Sequence, residues 1–145
     1  MTAASQITEA RSRNILIIEN DTDLLELLEE IFVHEGFQVR CLQETDDILR
    51  VLEDFNADLI LVDYLLPGIN GGELCAQVKR NSQTSHIPVI ILSAYSQVLL
   101  SLGSYGCNAF VAKPFELKEL VKEVNDCIAD PSRLFDGKHL EKSRS

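Results

Sequence analysis

Asp58-Leu59-Ile60-Leu61-Val62-Asp63 is a short apolar run bounded by acids, and Pro67-Gly68 turns the chain a few residues later. A continuous apolar stretch of this length, without polar alternation, reads as a strand covered on both faces, as in a parallel sheet. Asp63 then stands where the strand leaves apolar surroundings for its loop. Open α/β folds place their chemistry at that end of the sheet.

The flanking pattern has the same character. Upstream, Asn14-Ile15-Leu16-Ile17-Ile18 reads as a first strand, and Asp21 to Glu35 reads as a helix with Leu24, Leu25, Leu28, Ile31 and Phe32 on one stripe. Gly36 stops that helix. Phe37 to Leu42 forms a second strand, and Thr45 or Asp46 is placed to cap a helix carrying Ile48, Leu49 and Leu52. Downstream of Asp63, Asn70 is placed to cap a helix through Arg80 with Leu74, Cys75 and Val78 inward. His86 to Leu92 supplies a fourth strand with Pro88 at its entrance, followed by a shorter helix from about Ser96 that Gly103 and Gly106 punctuate. Asn108 to Ala112 is a fifth strand. Glu116 to Ile128 is a last helix with Leu117, Leu120, Val121, Val124 and Ile128 on its apolar face. Strands that each lead into a helix predict an α/β fold, (βα)5, with a five-stranded parallel sheet flanked by helices on both faces.

At 145 residues with 46% apolar content, the chain has material for one core and little for a second. We expect a lead over 1–13, a domain over 14–129, and a flexible polar tail over 130–145 that opens with Asp130-Pro131. Thirteen Lys plus Arg stand against 23 Asp plus Glu, a formal charge of −10 that disfavours attachment to nucleic acid or an anionic membrane. Cys41, Cys75, Cys107 and Cys127 lack metal-ligand spacing and read as reduced core thiols. The polar start has no export signal and no apolar run is long enough to span a membrane, so the cytoplasm is the expected location. Glu19-Asn20-Asp21-Thr22-Asp23 after the first strand is no glycine-rich phosphate loop, which disfavours nucleotide-dependent dehydrogenases and triphosphatases.

Strand ends one, three, four and five bring together Glu19 with Asn20, Asp63, Ser93 and Lys113. In this order, and with Tyr64-Leu65-Leu66-Pro67-Gly68 and Lys113-Pro114-Phe115 in their places, the chain resembles the receiver domain of two-component response regulators from about Asn14 to Ile128. The resemblance implies the flavodoxin-like strand order 2-1-3-4-5. It implies Asp63 as acceptor of a phosphoryl group from a histidine kinase or histidine phosphotransfer protein, with Mg²⁺ as cofactor. Glu19 and Asn20 take the positions of the acidic pair, and the carbonyl of Leu65 joins the metal set. Ser93 is the switch hydroxyl, with a helix cap as its plainer reading, Lys113 the cation that reads the modified state, and Phe110 either the aromatic whose packing follows the hydroxyl or a permanently buried core residue. Such a protein modifies itself and is not a turnover enzyme.

The residues support this chemistry on physical grounds. Transfer to a carboxylate requires relief of repulsion between two anions, which a divalent cation beside Asp63 supplies. Asn20 departs from the family, where a second aspartate often contacts the metal, because an amide offers an oxygen without full charge. Weaker Mg²⁺ binding is the expectation. Asp21 reads more simply as a helix cap.

From Ser93 through Ala112 there is no Asp, Glu, Lys or Arg, while Tyr95, Val98, Leu99, Leu100, Leu102 and Tyr105 crowd the expected fourth helix and its flanks. An exposed apolar strip follows, suited to an effector protein or a homodimer through the fourth helix, fifth strand and last helix. The alternatives are a phosphorylation-independent binding module and, less well supported, a small phosphoester hydrolase.

Overall fold

In the computed structural model, which describes residues 13–95, 97 and 105–135, five strands form one parallel sheet. They are β1 (Arg13–Ile18), β2 (Phe37–Leu42), β3 (Leu59–Asp63), β4 (Val89–Ser93) and β5 (Ala109–Ala112), in the order β2-β1-β3-β4-β5. The helices are α1 (Thr22–His34), α2 (Ile48–Asp54), α3 (Gly71–Arg80) and α4 (Leu117–Ala129).

The sheet and its order match the expectation, but the (βα)5 count does not: four helices, not five, occur among the described residues. Helices follow β1, β2, β3 and β5. The helix expected from about Ser96, and most of the apolar strip assigned to it, lie outside the described residues. That expectation rested on a weak pattern. A stretch without charges has no polar face against which an apolar stripe can be read, and Gly103 and Gly106 further interrupt its period.

Alternation along the central strands divides the core in two. Ile15 and Ile17, Leu59 and Leu61, and Ile90 and Leu92 meet Leu25, Leu28 and Phe32 of α1 and Leu120, Val124 and Cys127 of α4. Leu16 and Ile18, Ile60 and Val62, and Val89 and Ile91 meet Ile48 and Leu52 of α2 and Leu74, Cys75 and Val78 of α3. Strands covered on both faces have to be apolar at every position, which is why Asp58 to Asp63 shows no alternation. Each fully buried Leu or Ile contributes about 1.5–3 kcal/mol of transfer free energy.

Local chemistry sets the helix starts. The Asp21 side chain accepts from the Asp23 and Leu24 amides at 3.0 and 3.2 Å, and Asn70 Oδ1 accepts from the Glu73 amide at 2.8 Å. At α2 the cap is Asp47, which accepts from the Arg50 amide at 3.2 Å, and not Thr45 or Asp46. Thr45 Oγ1 instead accepts from the Asp47 amide at 3.1 Å and orients the cap. Gly36, at φ +95°, ends α1 in a conformation that other residues adopt only with strain.

Beyond α4 the chain returns to the sheet. Buried Asn108 donates from Nδ2 to the carbonyls of Pro131 at 3.0 Å and Arg133 at 2.6 Å, and its Oδ1 accepts from the Val89 amide at 2.8 Å. The Phe135 amide donates to the Cys107 carbonyl at 3.0 Å, and Arg133 pairs with Glu123 at 2.7 Å.

Candidate functional site

The parallel register carries separate strand ends to one corner. Asp63 is the last residue of β3 and lies opposite Leu92, while Ser93, one step further along β4, lies opposite Ala112. Lys113 follows at once, and its amide donates to the Ser93 carbonyl at 2.9 Å. On the other side, the Glu19 amide donates to the Leu42 carbonyl at 3.0 Å, so Glu19 continues the line of β1.

The side chains converge as the strand ends do. Lys113 Nζ lies 2.8 Å from Glu19 Oε1 and 3.2 Å from Asp63 Oδ1. One ammonium therefore bridges two carboxylates drawn from strand ends 44 residues apart (63 − 19). Glu19 is 1% exposed and Asp63 7%, so neither charge is well hydrated, and a shared cation offsets a desolvation that would otherwise be costly. The second Glu19 oxygen, Oε2, accepts from the Asp21 amide at 3.0 Å, which fixes the carboxylate in the turn before α1.

These surroundings raise the titrations of both Asp63 and Lys113. Burial, and then the neighbouring Glu19 charge, push the Asp63 carboxyl above its ordinary range against the opposing attraction of Lys113. Burial works against the charged form of Lys113, but its hydrogen bond to Glu19 and the charges of Asp63 and Glu19 outweigh this and raise its pKa.

Ser93 is buried, and its Oγ accepts from the Tyr95 amide at 3.0 Å, holding the hydroxyl at the start of the loop after β4. Phe110 is also buried, with its ring packed against Phe135 at 6.0 Å between centroids and a 50° tilt. Asn20 is exposed, and Leu65 is 51% exposed two residues past the end of β3. The Lys113-Pro114 peptide bond is cis.

Sequence reasoning placed Glu19, Asp63, Ser93 and Lys113 at one end of the sheet, and the structure brings them there. It did not foresee that Lys113 would approach Glu19 more closely than Asp63. It also missed Gly71 and Gly72. A Cβ on Gly71 would sit 2.2 Å from the Asp63 carbonyl oxygen, and one on Gly72 would sit 2.6 Å from the Tyr105 ring. The Gly71 amide donates to the Tyr64 carbonyl at 2.8 Å, so the start of α3 lies directly on the loop after Asp63. The signal was the glycine doublet following a helix cap, an expensive way to begin a helix unless close approach demands it.

Glu19, Asn20 and Asp63 offer only oxygen, and two carboxylates against one ammonium leave the cluster net anionic. Both features fit a hard divalent cation such as Mg²⁺. Among the described residues no three His, Cys, Asp or Glu side chains group to hold a metal by themselves. A cation at this corner would therefore also draw on amide, carbonyl and water oxygens.

Comparison with known proteins accords with this arrangement. The response regulator receiver domain model matches residues 15–125. The chain is 34% identical over 113 residues to the response regulator ArlR of Staphylococcus haemolyticus, covering 77% of this chain and 50% of that protein. More generally, it spans about half the length of curated relatives it matches. Among solved structures, it is similar to the signal receiver domain of a signal transduction histidine kinase from Syntrophus aciditrophicus, with TM-score 0.75, 30% identity, and 81% and 91% of the two chains covered. It is also similar to the response regulator protein TrrA of Thermotoga maritima, solved in complex with Mg²⁺ and BeF, with TM-score 0.71, 27% identity, and 79% and 97% covered. With the matched region taking in Glu19, Asn20, Asp63, Ser93 and Lys113, this chain belongs to the response regulator receiver domain family.

Proposed function

We propose that Asp63 accepts a phosphoryl group from a phosphohistidine on a histidine kinase or histidine phosphotransfer protein, and that the modified state changes a surface read by a partner protein. The observation that carries this reading is the buried Asp63 carboxylate at the end of β3, held 3.2 Å from a Lys113 ammonium that Glu19 also binds. In the transfer, the donor's phosphorus–nitrogen bond breaks as a bond forms from a carboxylate oxygen of Asp63. The acyl phosphate is later lost to water. A receiver acts chemically only on itself and is not a turnover enzyme.

Asp63, Asn20, the Leu65 carbonyl and, directly or through water, Glu19 would hold Mg²⁺. When bound, that ion supplies charge neutralisation between the acceptor and the phosphoryl oxygens. Lys113 already lies beside the carboxylate and is placed to follow the new negative charge. Ser93 is buried one register step beyond Asp63, and because its Oγ only accepts from the Tyr95 amide, its own proton would donate to a phosphoryl oxygen. Phe110 would answer through packing alone, since it lacks a phenolic hydroxyl. Reduced thiols and the acidic charge suit a cytoplasmic setting.

Intact-mass measurement after incubation with acetyl phosphate and Mg²⁺ tests the reading. The native protein should gain one phosphoryl group, Asp63→Asn should gain none, and Asn20→Asp should reach the same extent of labelling at a lower Mg²⁺ concentration. An unchanged native mass at saturating Mg²⁺ would leave a phosphorylation-independent binding module as the better account.

A further inference from the structure

The segment after α4 does more than leave the domain. Between Asp130 and Phe135 it crosses to β5, the edge strand of the sheet, and is held by three kinds of contact. Asn108 grips the Pro131 and Arg133 carbonyls, the Phe135 amide bonds the Cys107 carbonyl, and Arg133 pairs with Glu123 of α4. Asn108 is 2% exposed, and its oxygen is spent on the Val89 amide, so all its polar capacity ties this segment to the start of β4. At the end of the segment, the Phe135 ring lies against Phe110, a β5 aromatic three residues before Lys113, which directly follows that strand.

We propose that Asp130–Phe135 is a strap that holds Phe110 in its buried packing, and that loosening of the strap is linked to modification of Asp63. This rests on the phosphoacceptor reading. Lys113 is bonded through its side chain to Asp63 and Glu19 and through its amide to Ser93. A phosphoryl group on Asp63 redirects both Lys113 and Ser93, and β5 is the strand that carries this change to Phe110. Any displacement of Phe110 has to break its contact with Phe135. Linkage then runs both ways: a modification that loosens the strap is favoured when the strap is weakened.

Beryllofluoride with Mg²⁺, a stable substitute for the phosphoryl group, provides the probe. In the native protein, its binding should speed amide hydrogen exchange at Phe135 and shift the Asn108 side-chain amide signals in NMR. Phe135→Ala should bind beryllofluoride more tightly, by fivefold or more, whereas Phe135→Leu, which keeps an apolar contact, should fall between the two. If native protein binds beryllofluoride while exchange at 130–135 and the Asn108 signals stay unchanged, the strap is only structural and the proposal is overturned. Affinity within twofold for Phe135→Ala overturns it equally. Failure of the native protein to respond at all overturns the phosphoacceptor reading and the strap linkage together, a result distinct from binding without loosening.

Discussion

Asp63 lies in a site that disfavours its own charge. The folded protein holds the Asp63 proton more tightly than the unfolded chain, because burial and the Glu19 charge raise its pKa. The stability this carboxyl contributes is therefore fully present below its ordinary value of 3.8 and is lost as pH rises through the raised folded value. Asp63→Asn should stabilise the protein at pH 7 by on the order of 1 kcal/mol, since Lys113 keeps Glu19 as partner at 2.8 Å. The gain should shrink as pH falls through the window above 3.8. Urea denaturation of both proteins at several pH values checks this, and a native protein equally stable relative to Asp63→Asn at every pH would contradict it. At this scale the sequence was informative about which groups meet, because topology alone gathers strand ends. It was silent about how they pair. Whether Lys113 leans on Glu19 or on Asp63 depends on side-chain reach across three strands, and residue order does not encode that distance.

Among the elements, α3 has the most demanding fit. Gly71→Ala would drive a methyl group into the Asp63 carbonyl, an overlap with backbone that no rotamer relieves. The variant should lose about 1–3 kcal/mol or more of stability and label more slowly at Asp63. Gly68→Ala makes a useful contrast: its φ of +76° is strained for alanine, but nothing lies within 4 Å, so a loss of about 1 kcal/mol with little change in labelling is expected. Thermal melts with acetyl phosphate labelling separate the two, and equal labelling defects would refute the distinction. Strands and the starts of α1 and α3 were legible because apolar runs and side-chain caps are local signals, while α4, whose start at Glu116 has no side-chain cap bond, was legible from its apolar stripe alone. Asp47 was passed over at α2 because Thr45, Asp46 and Asp47 are all competent caps and only the bond to the Arg50 amide selects among them. The helix expected from about Ser96 had the least support, since its segment offered neither charge contrast nor a clear cap.

Over the whole molecule, the two-layer packing of helices on the sheet seals most of the sulfur away. Cys75, Cys107 and Cys127 are buried and Cys41 is half-buried. Burial pushes Cys75 and Cys107 up to about 12, and Cys41 and Cys127 up to about 11. With so little thiolate at neutral pH, native protein should react slowly with Ellman's reagent, Cys41 first, and all four thiols should react promptly in guanidinium. Rapid release from three or more thiols in the native state would contradict the packing. Among the described residues no helix is long and apolar enough to cross a membrane. The return of Asp130–Phe135 to β5 was hidden from the sequence for a reason of the same scale. Asp130-Pro131 reads locally as a helix stop, and nothing near it announces that Asn108, more than 20 residues earlier, has amide hydrogens to give.

The bridging ammonium has a consequence for how this corner meets its medium. Lys113 is a counter-ion that cannot diffuse away: β5 keeps it beside Glu19 and Asp63 at an effective concentration that no dissolved sodium or potassium can match. Mobile salt screens exposed charges, but this pair of carboxylates is mostly withdrawn from it. The resting polarity of the corner is therefore written into the chain, and swings in ionic strength should leave it nearly untouched.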